Sequence, residues 1–511
     1  MSRTRRFLGG LSLGYVSQAL VMLVALWLTP FLLARIGQHD YGLWLVATQL
    51  LSYLMLLDLG VVALLPRETA YVKGRAALAG PSDELPKLVG ETMRLVLWQV
   101  PLVAVAALAV WLSMPQEWAA LRPPMGLVLI AFVLFFPFRV FQAVLEGLQD
   151  LVYLGKLQIA ASLLGVGITV LFVVRGAGLF ALAFGWILGQ IVLSAFWLWR
   201  VRARFAMAIP RRLPKLGWDK ARFQIGRGLW ISMAQVAQVL VSGTDLLIIG
   251  KMFGPAAVVP FAITGKLIAV LANQPHLLMN LAAPALSEMR MSESRERLFQ
   301  VSSSLSLAML TVSGLLGVVI LAVNEGFVSW WVGPEQFGGV ALTAALIVSM
   351  TLRHWNLTVG YTIFCFGFEK HLAITALLDG LVTVGSAIGF AWLLGPIGAP
   401  LGSILGVLSM GLRRNLPPAA RETGSSLFGF VFQFAPWLWR FLTLAGASMF
   451  LAAFWTPDSF IELALTSTAV ALVYILVMYP VVVRPPLGAY LNPRVAAIKA
   501  RLRARGRGNE N

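Results

Sequence analysis

The chain has 511 residues, of which 59% are hydrophobic and 12% charged, and its mean hydropathy is +0.82. Soluble domains carry about 25% charged residues, so this composition excludes a soluble globular protein; long uncharged runs in place of short alternating strands also exclude a transmembrane barrel. What remains is an all-α polytopic membrane protein, and its formal net charge of +18 needs no nucleic acid once topology and anionic inner-leaflet lipids are considered.

The N-terminus carries Arg3, Arg5 and Arg6 and then runs from Phe7 to Ala34 without a charge. A secretory signal has an apolar core of only about 7–15 residues, so this run reads as an uncleaved first helix. Fourteen spans are predicted, at 8–33, 43–66, 95–114, 125–147, 157–174, 178–199, 229–250, 258–286, 300–323, 339–364, 371–394, 398–412, 431–455 and 460–483. With the N-terminus inside, the inner segments hold 32 of the 40 Lys and Arg residues and the outer loops four, and four more lie within spans. That bias places both termini in the cytoplasm. The 200–227 loop, with nine basic residues against Asp219, and the basic tail beginning at Pro493 are expected to lie on anionic lipid.

The chain repeats itself. Gln18 and Gln235 in spans one and seven are 217 residues apart, as are Gly37 and Gly254; "LLDLGVVALL" in span two is echoed by "LMNLAAPALS" in span eight, which sets Asp58 against Asn280 at offset 222. Gly147 and Gly367, and Gly178 and Gly398, follow at offset 220. The expected organisation is a six-helix half over 1–199, a basic linker over 200–228, a second six-helix half over 229–412, two added helices over 413–483 and a basic tail over 484–511. Two halves of even span number share one orientation, which places a substrate path at their interface.

Polar residues within the spans fall on stripes. Gln235, Gln238 and Asp245 share a face of span seven, and Lys266, Asn273 and Asn280 are spaced by seven in span eight; span one adds Gln18. Helix-to-helix glue and a wet cavity both account for the uncharged ones. Charges at depth are costlier, about 2.5–3.5 kcal/mol each near the bilayer centre, so Asp58 and Asp379 need either a partner or a cavity. Arg139 and Arg353 sit in spans four and ten, the corresponding helices of the two halves, and Lys266 joins them as a third cation that a cavity for an anionic head group would use. Asp58, Asp245 and Asp379 are the candidates for a coupling ion, proton or sodium. One cysteine, Cys365, and four histidines without a motif offer no metal site, and no phosphate-binding loop for ATP is present.

"LTPFLLARIGQHDYGLW" followed by "YLMLLDLGVVALLPRETA", with Gly37, Gly42, Asp58, Gly60 and Arg67, resembles the opening of the O-antigen type polysaccharide flippases. These belong to the multidrug/oligosaccharidyl-lipid/polysaccharide exporter superfamily. "FQAVLEGLQD" and "TDLLIIGKMFG" resemble its later spans. The resemblance implies a non-enzymatic transporter that moves a lipid-linked glycan, commonly on a polyprenyl diphosphate, across the bacterial inner membrane by alternating access. It also implies glycosyltransferases and a polysaccharide polymerase as working partners. A multidrug antiporter and a peptidoglycan-precursor flippase share the same architecture, and a membrane glycan polymerase or ligase is the alternative of another class.

Overall fold

The computed structural model describes residues 3–79, 83–271, 294–485 and 487–488, and these contain helices, turns and connecting loops with no strand. The first helix, α1 (Arg3–Leu54), is interrupted at Gly37, whose φ of 83° and ψ of 165° fit no helix. It is followed by α2 (Val61–Ala79), α3 (Glu84–Leu112), α4 (Arg122–Phe135), α5 (Arg139–Gly147), α6 (Leu151–Val174), α7 (Leu179–Arg204), α8 (Trp218–Ser242), α9 (Asp245–Met252), α10 (Pro255–Thr264) and α11 (Lys266–Leu271). The chain continues with α12 (Arg295–Val332), α13 (Val340–Cys365), α14 (Glu369–Leu394), α15 (Gly398–Gly406), α16 (Arg413–Glu422), α17 (Leu427–Phe432), α18 (Ala435–Phe454) and α19 (Phe460–Val483). A π-helical turn over Val407–Leu412 joins α15 to α16. Among the described residues nine helical segments are long and apolar enough to cross a membrane. They expose large apolar side chains such as Trp392, Phe450, Phe454, Ile461 and Leu476, as a surface bathed in lipid does.

The chain forms two compact units, Met1–Val259 and Pro260–Asn511, and the division falls inside α10, so the helices of the seventh expected span lie in the first unit. In the first unit α1 packs on α6, α6 on α7, α2 on α3 and α5, and α4 on α7. In the second, α12 packs against α13, α18 and α19, while α14 and α15 lie closely side by side. The core around α12 is aromatic: Trp437 and Phe441 stack with ring centroids 5.0 Å apart, and the buried Tyr474 hydroxyl donates to the Thr311 carbonyl at 2.8 Å.

Several spans read as continuous are broken, among them spans eight, at Gly265, and thirteen, at Gln433. Span two is interrupted by a 3-10 turn at Met55–Asp58, after which Leu59 (φ 48°) and Gly60 (φ 68°) are left-handed. Span four breaks at Phe136–Phe138, where Pro137 supplies no N–H. Span seven breaks between Ser242 and Asp245 at Gly243, and span twelve unwinds into the wider π turn. The 324–338 connection, expected as a loop, is helical as far as Val332.

Residues of positive φ recur along the chain. Left-handed residues at Gly37, Gln149 and Gly176 are answered by Gly254, Gly367 and Gly395, which follow 217, 218 and 219 residues later. Of these, only Gly37 and Gly254 are a pair matched in the sequence, and both lie in the first unit.

Candidate functional site

In the first unit the site begins with the turn after α1. Asp58 closes the 3-10 turn at 2% exposure, and its Oδ1 accepts from the Gly60 N–H at 2.9 Å, which fixes the carboxylate across the left-handed corner. Its carbonyl accepts from Gln99 Nε2 of α3 at 3.1 Å. Gly60 lies so close to the Gly228 carbonyl that a Cβ would overlap it, and its φ is positive as well. Gly60→Ala is therefore expected to lower the melting temperature, at a backbone cost of about 1–2 kcal/mol before the clash is added. A melting temperature equal to wild type would contradict this packing.

Gly147 on α5 then sets the second side of the site. Its Cα is pressed against the Pro66 carbonyl and the Thr69 side chain of α2, so α5 approaches α2 more closely than any larger residue would permit. That approach brings Arg139, the first residue of α5, to Asp58: its Nη2 lies 3.3 Å from Oδ2. The guanidinium also sits over the Phe136 ring, 5.5 Å from its centroid. Arg139 makes no hydrogen bond among the described residues, and its buried Nη1 has no partner. The arginine side chain is 26% exposed, whereas the aspartate is sealed.

The second unit builds its charged pair differently. The segment "GAPLGSILG" places Gly398, Gly402 and Gly406 on one face of α15. Each presses on the backbone or small side chains of α14, at Ala391, at Ala387 and at Asp379 with Thr383. The close approach carries Ser403 to Arg353 of α13. Arg353 Nε donates to Ser403 Oγ at 2.7 Å, Nη1 to Asp379 Oδ2 at 3.2 Å, and Nη2 to Asp379 Oδ1, Thr383 Oγ1 and the Ser403 carbonyl at 3.1–3.4 Å. Thr383 Oγ1 donates in turn to Asp379 Oδ1 at 3.1 Å, and Ser403 Oγ bonds Ser349 Oγ at 2.7 Å. All three guanidinium nitrogens are engaged.

Thus the cations Arg139 and Arg353 and the acids Asp58 and Asp379, separate candidates in the sequence, are two ion pairs, one per unit. Lys266 begins α11, half-buried, without an acidic partner among the described residues. Asp245 begins α9, one residue after Thr244, whose hydroxyl meets that of Tyr53. Gln235 is half-buried and Gln238 exposed on α8. The side chain of Gln18, and Asn273 and Asn280 altogether, lie outside the described residues. An open groove of about 340 Å³ lies between α1, α6 and α7, lined by apolar side chains that include Val24 and Leu28, with Gln158, Ser162 and Gln190 among its polar members.

Sequence comparison matches residues 92–333 to the family described as "Polysaccharide biosynthesis protein", just under half of the chain. No curated protein matches the chain by sequence. Among solved structures, lipid II flippase MurJ in an inward closed conformation superposes with a TM-score of 0.65 at 13% identity, covering 93% of this chain and 99% of that one. An inward-facing multidrug resistance MATE family transporter of the MOP superfamily gives 0.58 at 16% identity, covering 82% and 98%. The fold is that of the MOP-superfamily transporters. An outward-facing structure of a MATE family transporter of that superfamily also matches, at a TM-score of 0.52 and 14% identity, covering 81% and 96%.

The MOP fold agrees with the resemblance carried by Gly37, Asp58 and Gly60, and the proteins it is similar to are transporters and a flippase rather than enzymes. The sequence reading missed the neutral groups that bind the charges: Gln99, Thr383, Ser349 and Ser403. Thr383, four residues after Asp379 on the same face of α14, carried a readable signal; Ser403 carried one only through the glycines beside it.

Proposed function

We propose that the chain is a flippase that moves a lipid-linked glycan bearing an anionic phosphate group from the inner to the outer leaflet of the bacterial inner membrane, by alternating access. The observation that supports this best is the partly buried guanidinium of Arg139, which among the described residues has one ionic contact and an unpartnered Nη1, in a chain with the fold of the MOP-superfamily transporters. A guanidinium held by a single ionic contact can take a further anion, and it would repel a cationic drug. The polysaccharide-biosynthesis family match supports the same substrate class. In this reading both termini are cytoplasmic and the basic linker rests on anionic lipid. Glycosyltransferases supply the glycan, and a polymerase receives it. Asp58, Asp245 and Asp379 are the candidates for proton or sodium coupling, and of these Asp379 faces two nitrogens of Arg353.

The competing reading is a multidrug antiporter, favoured by the apolar groove between α1, α6 and α7. Thermal stability of the purified protein separates the two. A polyprenyl-diphosphate glycan is expected to raise the melting temperature and the lipophilic cation tetraphenylphosphonium to leave it unchanged; the opposite pattern would replace the flippase reading with the antiporter.

A further inference from the structure

The two arginines stand in corresponding helices of a repeated chain, yet they are held in opposite ways. Arg353 donates from all three nitrogens to Asp379, Thr383 and Ser403, and two acceptors on Asp379 form a fork with it. Releasing it would orphan several buried groups together. Among the described residues Arg139 has one ionic contact, at 3.3 Å, an aromatic ring beneath it and an unpartnered Nη1. Asp58, by contrast, has anchors that do not depend on the arginine: the Gly60 N–H holds its Oδ1, and Gln99 holds its carbonyl. The next acid along α5, Glu146, is engaged by Gln142 at 2.9 Å. Arg139 can therefore leave Asp58 while the corner around Asp58 stays in place.

We infer that Arg139 and Asp58 form an exchangeable pair: Asp58 is a resident counter-ion that holds the guanidinium until a phosphate group of the substrate takes its place, whereas Arg353 is a permanent brace. This rests on the proposed transport of a phosphate-bearing lipid and names the residue that receives the phosphate. A phosphate offers several charged oxygens to the planar fork, and Asp58 offers one at a long distance, so the exchange improves the guanidinium's hydrogen bonding. The exposure is arranged accordingly, with the arginine side chain 26% exposed and the aspartate 2%. Binding and release at Asp58 are reciprocal, so whatever neutralises Asp58 must strengthen phosphate binding by the same factor.

The test is binding of farnesyl diphosphate, with farnesol as the phosphate-free control, to the full-length protein in detergent. Arg139→Gln is expected to weaken binding by about tenfold or more, the loss of one charged hydrogen-bonding group. Asp58→Asn keeps the acceptor for Gly60, removes the competing charge and is expected to tighten binding by several-fold. Arg353→Gln is expected to lower the melting temperature with little change in affinity, and Arg139→Lys, which keeps the charge, to retain part of the binding. In the double variant Asp58→Asn with Arg139→Gln, the gain from Asp58→Asn should vanish, because its effect acts through the arginine. The proposal is overturned if Asp58→Asn weakens binding or leaves it unchanged, or if folded Arg353→Gln loses as much affinity as Arg139→Gln. Absence of binding in every form also overturns it, while leaflet movement of the full glycan, measured separately, would still decide whether the chain is a flippase.

Discussion

Replacing Asp379 with alanine is expected to destabilise the protein by about 3–5 kcal/mol, the cost of leaving a buried charge without its partner. Arg353 would retain Ser403 and Thr383 but lose the carboxylate that faces two of its nitrogens at 3.2 and 3.4 Å. The same physics makes a second demand. Removing both charges, as in Asp379→Ala with Arg353→Met, should recover most of the loss, because the penalty belongs to the unpaired guanidinium and not to the missing salt bridge. Thermal unfolding of the purified single and double variants measures both. A double variant less stable than Asp379→Ala alone would mean that the network contributes through geometry rather than through charge.

Gly402→Leu is expected to cost about 3 kcal/mol, at the upper end of the range for overpacking. The glycine Cα rests against the backbone of Ala387, so a side chain there must separate α15 from α14 along its length. Separation would also move Ser403 from Arg353 and undo the bond between Ser403 and Ser349. A loss of stability together with a loss of transport is therefore predicted, whereas the same change at the open Gly389 of α14, which has nothing within contact distance, should be tolerated to within about 1 kcal/mol. Melting temperatures of the two variants compared side by side check the claim.

Much of this architecture was legible in the sequence because hydrophobic length is a direct physical demand of the bilayer. The helical class follows from run lengths, and the attention given to Asp58, Asp379, Arg139 and Arg353 follows from the cost of charge at depth. The pairing of Arg139 with Asp58 and of Arg353 with Asp379 does not follow, because it depends on which helices touch. Contact between helices in lipid is decided by small residues, and the glycines at 398, 402 and 406 announced one such contact without saying which helix would receive it. The corner after Asp58 was half legible. Gly60 marked a place where the chain could turn, but Leu59 in a left-handed conformation is a position no propensity favours, and the tertiary contact of Gly60 with Gly228 accompanies it.

The unequal treatment of the two arginines sharpens the reading of transport. A fold with one braced charge and one loosely held charge has a fixed element in one unit and an exchangeable one in the other. In the sequence Asp58 is a coupling candidate because it stands alone in an apolar run; in the fold it stands opposite the cation that a substrate phosphate would claim.

The decisive measurement is leaflet movement in proteoliposomes. A polyprenyl-diphosphate glycan is placed in the inner leaflet and its arrival outside is scored by an added glycosidase that cannot cross the membrane. Wild-type protein should render the inner pool accessible, and folded Arg139→Gln should slow that movement by about tenfold or more, in line with the loss of a charged hydrogen-bonding group. Movement in Arg139→Gln at the wild-type rate, or an inner pool that stays protected in the presence of folded wild-type protein, would contradict the account.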